Sequence, residues 1–217
     1  MLKKVIFILC LGLGANVLCA QQPVYTCDFE DPTENSKWIL NPVNIIPNVT
    51  MPPLGNKWWI GEPGDFSPTG SKGLYISSDA NGAEAVYSGD ATMFATAARE
   101  MPNLPQGDYR LYFDWQCGGK KTGEGFFVCW VPIDTKTNSA PSTGDKPKWV
   151  TDYQCDSVFA LKNLWTVGAV DIKHDGTPHK LVFVWYSTQG KAVPPAACID
   201  NLELRPISEN EQCAVPT

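Results

Sequence analysis

The chain is short of the groups from which most enzymes are built. It has two histidines, His174 and His179, which flank a single turn, and it has no Gly-x-Ser-x-Gly elbow. Nucleophile chemistry of the Ser-His or Cys-His kind therefore lacks its parts, and His179, leading into a strand, is expected to be structural. No CxxC pair occurs, so zinc-ribbon and thioredoxin-like sites lack their spacing. A glycine-rich phosphate loop and a basic aromatic patch are both missing. Basic residues are scarce: 17 Lys and Arg stand against 23 Asp and Glu, a formal charge of −6. Phosphate backbones are held by clustered cations, so nucleic acid is not an expected partner. Carboxylates in catalytic spacing are missing too. A sandwich glycosidase sets two of them across a bound sugar, which on one strand gives a run such as Glu-x-Asp-x-x-Glu, and the chain has none. Glu84 stands alone between Gly82 and Val86, and the pair Asp28 and Glu30 has no third member at that spacing. The expectation is a chain that is not an enzyme.

What is present begins with an export pattern. Lys3 and Lys4 precede the apolar run Val5 to Leu13, and Leu18-Cys19-Ala20 ends on a small residue. Residues 1–20 are expected to be a secretory signal peptide, and their apolar run is too short to span a bilayer. Leu18 sits where a lipidated cysteine wants a small residue, which favours cleavage after Ala20. No second apolar run of spanning length follows, so the expected product is secreted or on the outer cell surface and not an integral membrane protein. Without Lys3 and Lys4 it carries 15 basic and 23 acidic residues. Six cysteines remain: Cys27, Cys117, Cys129, Cys155, Cys198 and Cys213. An even number in an exported chain favours disulfides, with buried thiols as the alternative. Residues 21–206 are expected to form one domain, large enough to bury roughly 70% of its unfolded surface, and 207–217 a polar tail or linker. Asn48-Val49-Thr50 fits a glycosylation sequon and is read as chance.

Gly and Pro punctuate the chain, and apolar residues alternate between them. Tyr109, Leu111, Phe113, Trp115 and Cys117 share one parity, and Leu181, Phe183 and Trp185 repeat the pattern; both are half-buried strands. Further strands are expected at Val24–Phe29, Gly73–Ser78, Ala83–Ser88, Phe126–Val131, Leu164–Ile172 and Cys198–Leu204; Ala91–Glu100 reads as another strand, with one short helix as the alternative, and no long stretch holds a helical period. Many short strands between turn signals indicate an all-β fold, a two-sheet antiparallel sandwich or jelly roll. The Pro-rich and Gly-rich stretch Asn41–Gly70 reads as a connection or binding loop, and Asp134–Lys148 as a polar, mobile one.

Two sets of site residues stand out. Trp58 and Trp59 are adjacent, and neighbours on an extended chain point to opposite sides. One can anchor the loop while the other stacks on a sugar ring, with Asn56 and Asp65 as polar contacts; the alternative packs both beneath the loop. In the last strand Asp200 shares parity with Leu202 and Leu204. A carboxylate on an apolar face requires a bulge, a cationic partner or a metal ion. Terminal strands of jelly rolls commonly lie side by side, so calcium held by Glu30 and Asp200 is one resolution, and Cys27 bonded to Cys198 follows from the same adjacency.

Four segments come in a familiar order: Cys27-Asp28-Phe29-Glu30, Gly107-Asp108-Tyr109-Arg110-Leu111-Tyr112-Phe113-Asp114-Trp115, Lys180-Leu181-Val182-Phe183-Val184-Trp185, and Pro194-Pro195-Ala196-Ala197-Cys198-Ile199-Asp200-Asn201-Leu202. Together they resemble the cleaved-adhesin or choice-of-anchor J modules of Gram-negative surface proteins, found in gingipain adhesin regions. The resemblance covers about residues 24–206. It implies a lectin-like or MAM-like jelly roll, often calcium-bound, used in adhesion to a glycan or to a host or neighbouring-cell protein. Members often carry Asp-x-Asp-x-Asp in the loop after the first strand; here that loop reads Trp38-Ile39-Leu40-Asn41-Pro42, without the acidic repeat. A structural spacer in a larger surface protein, and more distantly a divergent glycoside hydrolase, are the alternative functions.

Overall fold

The computed structural model describes residues 22–43, 54–64, 68–90, 92–120, 124–141 and 146–207. Asp65, Cys213, the sequon and the 1–20 segment lie outside them. Two antiparallel sheets pack face to face. The larger contains β1 (Tyr25–Cys27), β3 (Lys57–Gly61), β4 (Gly73–Ser77), β6 (Gly107–Cys117), β9 (Lys162–His174) and β11 (Cys198–Pro206). Its order is β3-β4-β11-β6-β9, with β1 also paired to β11. The smaller contains β2 (Trp38–Leu40), β5 (Met93–Glu100), β7 (Gly125–Pro132), β8 (Ala140–Pro141) and β10 (His179–Ser187), ordered β2-β5-β10-β7 with β8 on β5. Two short helices, α1 (Pro32–Asn35) and α2 (Lys148–Tyr153), sit outside the sheets. Among the described residues no helix is long and apolar enough to cross a membrane. The all-β sandwich is the fold that the alternation implies.

Alternation works because successive strand residues face opposite sides. Tyr109, Leu111, Phe113, Trp115 and Cys117 all turn inward, as do Leu181, Phe183 and Trp185. Phe113 meets Phe183 edge-on at 6.0 Å, a favourable aromatic geometry. Phe159, from the connection after α2, stacks on Phe126 at 5.0 Å and plugs the gap between the two sheet edges.

The strand expected over Ala83–Ser88 is instead an irregular segment. It is held by Asn56, whose side-chain oxygen accepts from the Ser88 N–H (2.8 Å) and whose amide donates to the Ser88 carbonyl (2.9 Å). Conversely β3 formed inside the stretch expected to be loop. Its two tryptophans occupy both faces, so no alternation signalled it. Asn41 docks it to the end of β2: Trp58 N–H donates to Asn41 Oδ1 and Asn41 Nδ2 donates to the Trp58 carbonyl, both at 2.8 Å.

The Asp200 parity conflict resolves through a bulge. Asp200 lies opposite Asp114 and Glu203 opposite Tyr112, so β11 carries one residue more than β6 between these pairs. Asn201 takes φ 50 there. The extra residue switches parity: Cys198 and Asp200 turn to the outer face, while Leu202 and Leu204 join the core.

The proposed Cys27–Cys198 bridge is ruled out by register. Cys27 lies opposite Leu202, four residues from Cys198, or about 13 Å of strand, and a disulfide needs Cα atoms within about 7 Å. The five described cysteines are thiols. Burial pushes them up, Cys155 to about 12, which leaves them unreactive.

Candidate functional site

The two outer sheet faces differ. That of the smaller sheet is closed over. Phe127, Cys129, Val131, Val182 and Val184 form a second apolar cluster with Val150 of α2. Of the segment expected to be a mobile polar loop, residues 134–141 lie across this face: Thr96 Oγ1 donates to the Thr137 carbonyl (2.7 Å), Thr96 N–H to Ser139 Oγ (2.8 Å), and Lys180 Nζ to the Thr135 carbonyl (2.6 Å). Backbone and hydroxyl groups that could meet a ligand are consumed by the fold.

The outer face of the larger sheet is covered over β3, β4 and the start of β11 by the 78–88 segment and open over β6 and the rest of β11, where the bulge shapes it. A cleft of about 550 Å³ is lined by Asp28, Asp31, Glu34, Asn201 and Glu203, among others. A second, of about 360 Å³, shares Asn201 and Glu203 and adds Tyr112, Asp114, Val167 and Arg205. Together they make one groove across β1, β11 and β6. Its polar groups are pre-set by one another: Asn201 Nδ2 donates to Asp114 Oδ2 (2.7 Å) and Arg205 Nε to Glu203 Oε1 (2.6 Å). Val167 supplies an exposed apolar contact, 68% accessible. Asp31 caps α1 by accepting from Thr33 N–H at 2.8 Å.

Glu34 is a structural anchor at the groove wall. It accepts from Arg99 Nε (2.7 Å), Lys37 Nζ (2.9 Å) and the Tyr25 hydroxyl (2.9 Å). Burial opposes its ionisation, but those donors outweigh it and hold its carboxyl down to about 2.

Glu30 and Asp200 meet the gap between β4 and β1, which follow one another along the same edge of β11. Glu30 Oε1 accepts from Ser71 N–H (2.6 Å) and Lys72 N–H (2.8 Å), and these bonds lower its carboxyl. Gly70, at φ 73, permits the approach; a Cβ there would lie 2.3 Å from that oxygen. Asp200 is fully buried, accepting from Asn201 N–H at 2.7 Å. Thr69 Oγ1 donates to Asn201 Oδ1 (2.8 Å), tying the Glu30 loop to the bulge.

The tryptophan set is corrected. Trp58 and Asn56 are each 1% exposed and are core residues with no contact surface for a ligand. Trp58 Nε1 donates to the Ala95 carbonyl (3.0 Å), and Asn56 is the clamp on Ser88. Trp59 points to the outer face, where it joins Tyr75, Cys198, Ala85 and Trp165. It is half-buried, because the 78–88 segment folds over it: a Cβ at Gly82 would lie 2.4 Å from its ring. Tyr112 and Glu203, which line the clefts with Asn201, were not singled out from the sequence. Nothing in the sequence marks them, because only the bulge and the strand order bring them together.

No family model matches the chain, and no curated protein matches its sequence. Solved structures of similar shape include the CBM22-1 xylan-binding domain of Paenibacillus barcinonensis Xyn10C, 9% identical with a TM-score of 0.48, covering 86% of this chain and 96% of that one. A family 22 carbohydrate-binding module of Clostridium thermocellum Xyn10B is 12% identical with a TM-score of 0.49, covering 86% and 96%. The mannan-recognising module TmCBM27 is 16% identical with a TM-score of 0.41, covering 86% and 98%. Likeness at this level does not extend to a ligand.

Proposed function

We propose that the chain is an exported, non-catalytic module that binds a neutral glycan in the groove on the outer face of the larger sheet. The observation that carries this is the groove itself: carboxylate, amide and guanidinium groups, already oriented by mutual hydrogen bonds, beside Tyr112 and Val167. Sugars need that combination, since their hydroxyls take directional polar contacts while their C–H faces pack on apolar or aromatic surface. The acidic lining disfavours polyanions. A glycosidase acid needs a raised carboxyl, and Glu34 in the groove wall is shifted the opposite way. Export and membership of the cleaved-adhesin type are part of the same proposal, supported by the residue order given above. A glycan array followed by calorimetry with neutral oligosaccharides tests it. Tyr112→Ala and Glu203→Ala are expected to remove binding with little change in melting temperature; silence of the native chain across the array contradicts the reading.

Calcium at Glu30 and Asp200 is a second element of the proposal. What supports this is that Glu30 holds the 71–72 backbone while Thr69 of the same loop bonds Asn201, the neighbour of Asp200, and oxygen donors of this kind suit a hard dication. Bound there, calcium would lock the β1–β4 corner. Melting is expected at higher temperature with calcium than with a chelator, and Asp200→Asn should abolish the difference. Coincident native curves in the two buffers contradict it.

A further inference from the structure

The tip of the β9–β10 hairpin holds a separate cluster of ligand-type side chains. One ring nitrogen of His174, one of His179 and a carboxylate oxygen of Asp175 all lie within 4.8 Å of one another. The hairpin creates the spacing: His174 ends β9, His179 begins β10, and Gly176 at φ 86 turns the chain between them. His174 is only 5% exposed, whereas the Asp175 side chain reaches solvent.

Hydrogen bonds decide which nitrogens are free. His174 Nε2 lies 3.1 Å from the Leu104 carbonyl oxygen, which can only accept, so Nε2 carries the proton. Its Nδ1 then holds a lone pair, buried and without a hydrogen-bond partner among the described residues. Leaving such an acceptor unpaired is costly unless something occupies it. His179 Nδ1 lies 2.8 Å from the Thr177 carbonyl and is protonated by the same logic, leaving the lone pair on Nε2. Metal-bound imidazoles ordinarily donate their second N–H to a carbonyl or carboxylate, which fixes tautomer and ring together. Both rings already do so. Trp130 stacks on His179 at 5.5 Å and 9°, and Tyr109 meets His174 edge-on at 6.0 Å. Asp175 Oδ1 is held by the Thr177 hydroxyl (2.6 Å) and N–H (2.8 Å).

We propose that this tip binds a transition-metal dication of the zinc class, through His174 Nδ1, His179 Nε2 and the Asp175 carboxylate, with water completing the shell. Two imidazoles and one carboxylate suit zinc far better than calcium. Tetrahedral zinc with bonds of 2.0–2.1 Å sets its ligand atoms about 3.3 Å apart; Asp175 Oδ1 lies 3.8 Å from His179 Nδ1, so the carboxylate has to swing from that protonated nitrogen toward Nε2 to complete the set. The exposed turn 175–178 can supply that movement.

The test is zinc titration of the chelator-stripped full chain by calorimetry with excess calcium present, and cobalt titration read by visible absorption. One zinc per chain and the ligand-field bands of a nitrogen-coordinated cobalt are expected. His179→Gln should remove both signals. Asp175→Asn, on an exposed turn and folded by circular dichroism, should weaken zinc by about tenfold or more, since losing even a partner that orients a ligand costs about 10–100-fold. No zinc uptake by the native chain overturns the proposal, and so does uptake that is unchanged in both variants.

Discussion

The two outer faces of the sandwich are built from the same strand geometry and are put to opposite uses. On the smaller sheet, valines and phenylalanines face outward, and residues 133–141 together with α2 cover them. On the larger sheet the apolar corner at Trp59, Tyr75 and Cys198 is likewise covered, by the 78–88 segment, while the outward positions Arg110, Tyr112, Asp114, Glu203 and Arg205 stay accessible. Outward residue chemistry thus decides which face is closed. An apolar outer face must acquire a lid to escape water, whereas a polar one satisfies itself in ion pairs and remains available to a ligand.

That contrast can be broken by one charge on each face. Val150→Asp puts a carboxylate beneath the lid and should cost more than about 3 kcal/mol, by loss of packing and burial of an unpaired charge. Val167→Asp on the open face should stay within about 0.5 kcal/mol. Urea unfolding of the two variants measures the difference, and equal costs would remove the distinction between the faces.

Glu34 sharpens the comparison at the groove wall. Its carboxyl is depressed in the folded chain, so it stabilises above its unfolded value near 4.5, and that contribution is lost as pH falls through about 2. Glu34→Gln should cost about 2 kcal/mol at neutral pH, leaving Arg99 and Tyr25 with a weaker acceptor. The loss should shrink as pH falls from 4.5 to 2; a penalty that is independent of pH would assign the effect to packing instead. Gly70→Ala should cost about 1–2 kcal/mol from its left-handed backbone, and should displace Glu30 from Ser71 and Lys72. Preservation of the amide exchange protection of both N–H groups would contradict that.

Strands with one apolar and one polar face were legible in the sequence, because period-two alternation is the direct imprint of a half-buried sheet. Tyr109–Cys117 and Leu181–Trp185 are the clearest. β3 was not, because Trp58 and Trp59 are both wanted, one in the core and one on the outer face. Nor was the lid, whose α2 is too short to show a period. At the site, the Asp200 parity conflict correctly flagged the bulge as one of its resolutions. The groove partners Tyr112, Asn201 and Glu203 come from strands far apart in sequence, and no local signal could join them. The reading of Trp58 and Asn56 as contact residues failed because aromatic and amide groups in a Pro-rich stretch resemble a binding loop whether they face water or the core.

Backbone amide shift mapping, by heteronuclear NMR with the neutral oligosaccharide that scores highest on the array, addresses the open face most directly. Perturbations are expected at Thr26, Tyr112, Asn201 and Glu203, with α2 and the 133–141 segment unmoved. Shifts concentrated on the lid would contradict the assignment of the ligand to the larger sheet.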